Sequence, residues 1–294
     1  MPNIAIVWDF DQTLTVEDTT TTVVEFLQGR ATGGEFWDRI HDLRGDAKQV
    51  TWEHVLASDA PIWMYALSRL AFENKVPLNA EFFGKFIAPR VTLRPGVLKF
   101  LRKTKLLEAK KPFKDVGLNI EHFVVSAGLV DLVDAVMPSD VVRKAFGCRY
   151  EIIAYKGNEN EPESVPVFCM DETMKTRSLF EIAKGSFLHK DRGVNRKVPD
   201  DKYWAPFRNI IYIGDGPTDV PALSLVRKNG GIGIAVYDPN APRERRDARL
   251  KDMRLDSRTD LITPAIFSER GELFRYLTSS CERICLRYRA EQST

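Results

Sequence analysis

Cysteine and histidine are scarce in this chain, at four of each in 294 residues. So few cysteines exclude a disulfide framework and point to a reducing compartment. The histidines, His41, His54, His122 and His189, have no cysteine or second histidine at ligand spacing, which argues against zinc. No run of about 18 apolar residues occurs, so no membrane span is expected. The short apolar run Ile4–Trp8 is stopped by Asp9 and lacks a basic flank, unlike a secretory signal. Charge of one sign is also missing: 43 Lys+Arg against 41 Asp+Glu leave a formal +2, no field to recruit nucleic acid or an anionic membrane. Repeats and low-complexity tracts are absent. The expectation is a soluble cytoplasmic protein with neither nucleic acid nor membrane as partner.

What is present is enough apolar mass for a real core, 44% of residues, with 29% charged. The length fits two domains of about 150 residues or one large α/β domain. Short, continuously apolar runs at Ile4–Trp8, Phe123–Val125, Val165–Met170, Ile210–Ile213 and Ile232–Val236 read as parallel strands covered on both faces. Helical stretches separate them: Val97–Leu107 after a Pro95-Gly96 start signal, Ser178–Ala183, Val220–Val226, and Gly271–Tyr288 with Leu273, Leu277, Cys281, Ile284, Cys285 and Tyr288 on one face. Alternating β and α predicts a Rossmann-like, doubly wound parallel sheet.

Residues 16–93 break the alternation. They carry helical periods (Val23, Val24, Phe26, Leu27, then Ile62, Trp63, Ala66, Leu67, Leu70) and no strand signal, so they read as an inserted α-helical domain. Gly33-Gly34, Gly45-Asp46 and Ser58-Asp59-Ala60-Pro61 read as its turns, and Trp52, Trp63 and Tyr65 as its packing. The core is then 1–15 with 94–294. Polar stretches at Lys156–Glu163 and Gly185–Pro206 read as surface loops.

Chemistry concentrates at strand ends. Trp8-Asp9-Phe10-Asp11-Gln12-Thr13 follows the first strand, where open α/β sheets place their ligands. Two carboxylates two residues apart repel unless a cation or proton lies between them; spacing alone leaves a turn-forming role equally open. Ile213-Gly214-Asp215-Gly216-Pro217-Thr218-Asp219 ends another strand in two more aspartates. Oxygen-only ligation of this kind favours Mg2+ over zinc, while Thr218 or Asp219 could simply cap the next helix. Ser126-Ala127-Gly128 offers a hydroxyl and turn amides to an anion. Lys175 opens the helix after Val165–Met170, within reach of the same crevice.

In this order, Asp9/Asp11/Thr13, Ser126/Gly128, Lys175 and Gly214/Asp215/Gly216/Asp219 resemble the four motifs of the haloacid dehalogenase (HAD) superfamily. The insert looks like a C1-type helical cap, as in phosphoserine phosphatase-like members. The resemblance implies a phosphatase: Asp9 as nucleophile forming an aspartyl-phosphate, Asp11 as general acid/base, and Ser126, Gly128 and Lys175 holding phosphate. It implies Mg2+ on Asp9, the Asp11 backbone carbonyl and Asp215, with Asp219 and Thr13 in support. A small phosphorylated metabolite is the implied substrate. The long interval between Lys175 and Asp215 leaves Lys184 as the alternative lysine. The second aspartate of the first motif argues against a dehalogenase. Asp18, with Glu17 beside it, stands where phosphoserine phosphatases carry a glutamate, which argues against phosphoserine. A phosphotransferase or mutase using the same nucleophile, or a catalytically silent binding protein, are the competing readings. The stretch Arg243–Arg258, seven basic residues interleaved with four acidic, reads as a solvated helix face.

Overall fold

The computed structural model describes residues 2–29, 32–44, 59–155, 158–189, 191–254 and 258–292. Its strands are β1 (Asn3–Trp8), β2 (Asn119–Leu129), β3 (Val142–Tyr155), β4 (Asn158–Phe168), β5 (Ile210–Gly214), β6 (Ile232–Tyr237) and β7 (Leu261–Pro264). They form one seven-stranded sheet in the order β4-β3-β2-β1-β5-β6-β7. All neighbouring pairs are parallel except β3–β4. β1 lies at the centre with every residue buried. Ile4, Ile6 and Trp8 pack into one apolar layer with Leu273 and Leu277, while Ala5 and Val7 pack into the other with Leu179 and Ile182. That two-sided cover is why this strand reads as an unbroken apolar run.

Between β1 and β2 run α1 (Thr19–Gln28), α2 (Gly33–Arg44), α3 (Asp59–Glu73) and α4 (Ala80–Phe82), then α5 (Val97–Lys105) and α6 (Lys111–Val116). The remaining helices are α7 (Val130–Val136), α8 (Glu172–Lys184), α9 (Val220–Lys228), α10 (Arg243–Arg254) and α11 (Glu272–Gln292). The chain leaves and re-enters the core at one place. Thr15 bridges Leu93, the Val16 N–H donates to the Thr92 carbonyl at 2.9 Å, and the Arg94 N–H donates to the Leu14 carbonyl at 2.8 Å. No described helix is long and apolar enough to cross a membrane. The four cysteines are free thiols.

The doubly wound expectation holds at the centre of the sheet and needs correcting at one edge. The Val165–Met170 run belongs to β4, which is antiparallel and ends at Phe168, and β4 begins at Asn158 inside the stretch expected to be a loop. β3 was not expected at all. Its Arg143, Lys144, Arg149 and Glu151 interrupt any apolar run; pairing, not composition, makes it a strand. The β3–β4 ribbon leans on α3 and the segment after it: the Tyr150 hydroxyl donates to the Met64 carbonyl of α3 at 2.6 Å, and the N–H of Leu78, beyond α3, donates to Ser164 Oγ at 2.9 Å. β7, four residues long, was also missed.

Within the insert, Gly33-Gly34 opens α2 and Asp59-Ala60-Pro61 forms the first turn of α3, so both expected turns are helix starts. A proline N–H is not needed in a first turn, which has no intrahelical acceptor for it. Trp63 is buried, but Tyr65 is 65% exposed and is not part of the insert's packing. Trp52 and Gly45-Asp46 lie outside the described residues.

His122, on β2 beside β1, is fully buried. Its Nδ1 accepts from the Trp8 indole N–H at 3.0 Å, so Nε2 carries the proton, with the Leu101 carbonyl at 3.0 Å as acceptor. Burial drives its pKa down from 6.5 to about 3. Below about 6.5 the unfolded chain binds a proton that the folded one refuses. Stability from this group is therefore complete above pH 6.5 and lost as pH falls toward 3. Urea midpoints at pH 7 and pH 5 should differ less in His122→Gln than in the wild type; an equal or larger gap would refute a neutral core histidine.

Candidate functional site

The site is built where β1 and β5 end side by side. The Asp9 N–H donates to the Ile213 carbonyl at 2.8 Å, tying the first acidic turn to β5. The chain then curls so that the Phe10 carbonyl accepts from the Leu14 N–H at 2.8 Å and the Thr15 N–H at 3.1 Å. Gln12 sits in this curl at φ 59, a left-handed conformation unusual for a residue with a side chain. Two arginines hold it there: Arg94 donates to its carbonyl from Nη2 at 2.9 Å, and Arg249 donates to its side-chain Oε1. Neighbouring structure of this kind is what sustains strained backbone at a site.

Asp9 is buried among cationic and hydroxyl donors. Lys175 Nζ reaches Asp9 Oδ1 at 2.8 Å and Asp219 Oδ1 at 2.6 Å, and the lysine itself is 1% exposed. Thr13 Oγ1 lies 3.2 Å from Asp9 Oδ2 and 3.4 Å from Asp215 Oδ1. Burial raises the Asp9 carboxyl to about 6, against the pull of Lys175. Asp215 is raised to about 7 by burial, against the pull of Arg249. For Lys175 burial acts downward, but Asp219 and Asp9 outweigh it and the net shift is upward.

Asp9, Asp215 and Asp219 each bring a carboxylate oxygen within 4.8 Å of the others. Asp219 is already saturated: one oxygen accepts from Lys175 and from the Tyr212 hydroxyl at 2.7 Å, the other from the N–H groups of Asp215 at 3.0 Å and Gly216 at 3.1 Å. It orients its neighbours, which leaves Asp9 and Asp215 as the open oxygen donors. Such a pair fits a hard divalent cation, which also removes the repulsion of two buried carboxylates. Gly214 is required here, since a Cβ would fall 2.3 Å from the Asp219 carboxyl carbon.

Asp11 stands apart from that trio. Its Oδ1 accepts the Thr19 N–H at 2.8 Å, and Ser126 Oγ donates to its Oδ2 at 3.5 Å. Burial first, then the Asp18 carboxylate, raise its pKa well above the ordinary value. A raised pKa favours the protonated form of a carboxyl, the form that can donate a proton. The Gly128 N–H donates to Ser126 Oγ at 2.9 Å, and a Cβ on Gly128 would meet Asp11 Oδ2 at 2.5 Å.

A cavity of about 200 Å³ collects Asp9, Asp11, Ser126, Gly128, Lys175 and Asp215. Trp37, Asp59 and Trp63 from the insert also line it. Of the other expected residues, Thr13 and Asp219 stand behind this lining, Thr13 against Asp9 and Asp215, and Asp219 against Lys175. Lys184 does not join them: its Nζ donates to the carbonyls of Val194 at 2.5 Å and Arg196 at 2.7 Å, fastening the 185–206 loop. Asp18 caps α1 by accepting the Thr21 N–H at 2.7 Å.

Sequence reasoning missed Arg249. It belongs to the stretch read as a solvated helix face, yet its Nη1 lies 3.3 Å from Asp215 Oδ2. The available signal was Leu250 and Met253, apolar positions marking an inner face of α10 next to which Arg249 falls.

No family model matches the chain. A Borreliella burgdorferi protein described as uncharacterized is 25% identical over 297 residues, 96% of this chain and 97% of that protein. Among solved structures, an unliganded Vibrio cholerae protein described as a probable phosphoserine phosphatase matches with TM-score 0.52 and 13% identity, over 98% of this chain and 67% of that one. A HAD family hydrolase from Salmonella enterica serovar Typhi matches with TM-score 0.49 and 18% identity over 81% of this chain, which spans 65% of that protein's length. At 13% identity the Vibrio match is one of fold: a largely parallel, Rossmann-like α/β architecture.

Proposed function

We propose that the chain is a cytoplasmic, magnesium-dependent phosphomonoesterase that works through an aspartyl-phosphate on a small phosphorylated metabolite. The reading takes residues 1–15 and 94–294 as a HAD core and 16–93 as a helical cap of the C1 kind, the phosphoserine phosphatase-like arrangement. The observation that carries it is Asp9 at the end of the central strand, clamped by Lys175 at 2.8 Å beside Asp215, with Asp11 held separately by Thr19 and Ser126.

Asp9, Asp215 and the Asp11 backbone carbonyl would hold the magnesium, which when bound would supply charge neutralisation at the phosphate oxygens. The Asp9 carboxylate attacks phosphorus, the bond from phosphorus to the leaving oxygen breaks, and the Asp11 carboxyl gives that oxygen its proton. Water then attacks the aspartyl-phosphate, Asp11 takes the water's proton, and Asp9 leaves as carboxylate with inorganic phosphate released. Lys175, Ser126 Oγ and the amides around Gly128 hold the transferring oxygens. Trp37 and Trp63 shield the cavity from water on the insert side.

The reaction is tested by phosphate release from p-nitrophenyl phosphate with and without Mg2+. Cation binding has its own readout in melting temperature. Asp9 at about 6 and Asp215 at about 7 are both raised above 3.8. Their stability contribution in the ion-free protein is complete below 3.8 and lost as pH rises through 6 and 7. A cation that needs both carboxylates ionised should therefore raise the melting temperature more at pH 8 than at pH 5. Turnover without Mg2+, or an equal rise at both pH values, contradicts the proposal. Transfer to an added alcohol with no free phosphate would instead favour a phosphotransferase.

A further inference from the structure

A second, larger cavity of about 440 Å³ opens beside the first, between the β1–α1 turn and the β6–α10 connection. The two share Gln12, Asp18, Asp215 and Arg249, so the Arg249–Gln12 contact is a partition and not a floor. Arg94, Arg246 and Arg249 all line the larger one. Arg246 and Arg249 are three apart on α10, which places them on one face. Arg246 is 28% exposed, lies 5.3 Å from the centre of the Tyr237 ring, and has its nearest recorded carboxylate contact with Asp247 at 4.0 Å.

The carboxylates of the same wall are largely committed. Asp18 caps α1, and Asp238 lies 3.7 Å from Arg94 Nη1. Asp215 Oδ2 lies 3.3 Å from Arg249 Nη1, and it is one of the groups a divalent cation would claim. A cation held by Asp215 would compete with Arg249 for that carboxylate, and Arg249 lines the chamber together with Arg246. Glu17, the remaining one, is exposed. Guanidinium forks favour planar or tetrahedral oxyanions over neutral groups.

We propose that this chamber receives a second anionic group of the substrate, a carboxylate or a second phosphate on the leaving group, held by Arg246 and Arg249. The inference rests on the phosphomonoesterase reading and narrows it to doubly anionic substrates.

Calorimetric binding in Mg2+ buffer can separate the two ideas. Three non-hydrolysable probes share a two-carbon spacer or its equivalent: 3-phosphonopropionate, 1,2-ethylenediphosphonate and propylphosphonate. At least one diacid should bind about tenfold more tightly than propylphosphonate. The advantage should shrink in Arg246→Ala and vanish in Arg246→Glu, with propylphosphonate affinity unchanged in both. The stronger diacid identifies the second group as carboxylate or phosphate. Equal binding of all three, or an advantage that survives Arg246→Glu, overturns the chamber as an anion site. Absence of binding by any probe overturns it along with the phosphatase reading. Diacid preference without turnover of p-nitrophenyl phosphate sinks only the phosphatase.

Discussion

Asp9→Asn should release phosphate from p-nitrophenyl phosphate at least about 10³-fold more slowly than the wild type, while melting at the same temperature or higher. The amide retains the shape of the side chain but cannot act as nucleophile. Its loss of charge is also no burden on the fold. Asp9 is one of three carboxylates packed within 4.8 Å, and burial already holds its pKa up near 6, so the ionised form is costly to keep. Lys175 retains Asp219 as a buried partner at 2.6 Å. The same variant should lose most of the melting-temperature rise that Mg2+ confers, because one of two open oxygen donors is gone. Activity within about tenfold of wild type would remove Asp9 from the chemistry. A large drop in melting temperature would show that the charge serves the fold instead.

Lys175→Met should be the more damaging substitution to the molecule as a whole. The lysine is 1% exposed and links Asp9 and Asp219, themselves 7% and 0% exposed at the side chain. Breaking a buried pair from one side leaves uncompensated charge and costs about 3–5 kcal/mol. That is roughly 5–8 °C of melting temperature for a chain of this size. Protonating the stranded carboxylates relieves the penalty, so the deficit against wild type should narrow as pH falls from 8 to 5. A structural gap left by the lysine stem would not respond to pH in this way. Adding Asp219→Asn to Lys175→Met should recover part of the stability but none of the activity, since the lysine is also a proposed phosphate ligand. If Lys175→Met melts like the wild type at pH 8, the lysine is neutral or hydrated and the clamp does not exist.

Local sequence was sufficient for the centre of the molecule. A strand covered on both faces has to be apolar at every position, so β1, β5 and β6 were visible as runs, and the acidic turns at their ends were visible with them. The residues Asp9, Asp11, Ser126, Lys175 and Asp215 could be named because their order and placement after strands resemble the HAD motifs; spacing alone left a structural role open for each. Their convergence on one cavity follows from parallel strands lying side by side, a property of the sheet order β2-β1-β5.

Only the tertiary structure decided the rest. β3 and β4 owe their conformation to pairing: β3, whose charged residues interrupt any apolar run, lies between β2 and β4, and β4 begins in a polar stretch and satisfies its backbone through β3. Choosing Lys175 over Lys184 required knowing which of two buried ammonium groups points at carboxylates and which at loop carbonyls. Arg249 is the sharpest case. An arginine among interleaved charges is indistinguishable in sequence from a solvated one, and the packing of α10 against the β1 turn is what brings it to Asp215 and Gln12. Chain-local pattern records which face of an element is apolar; it does not record which distant charge that face will meet.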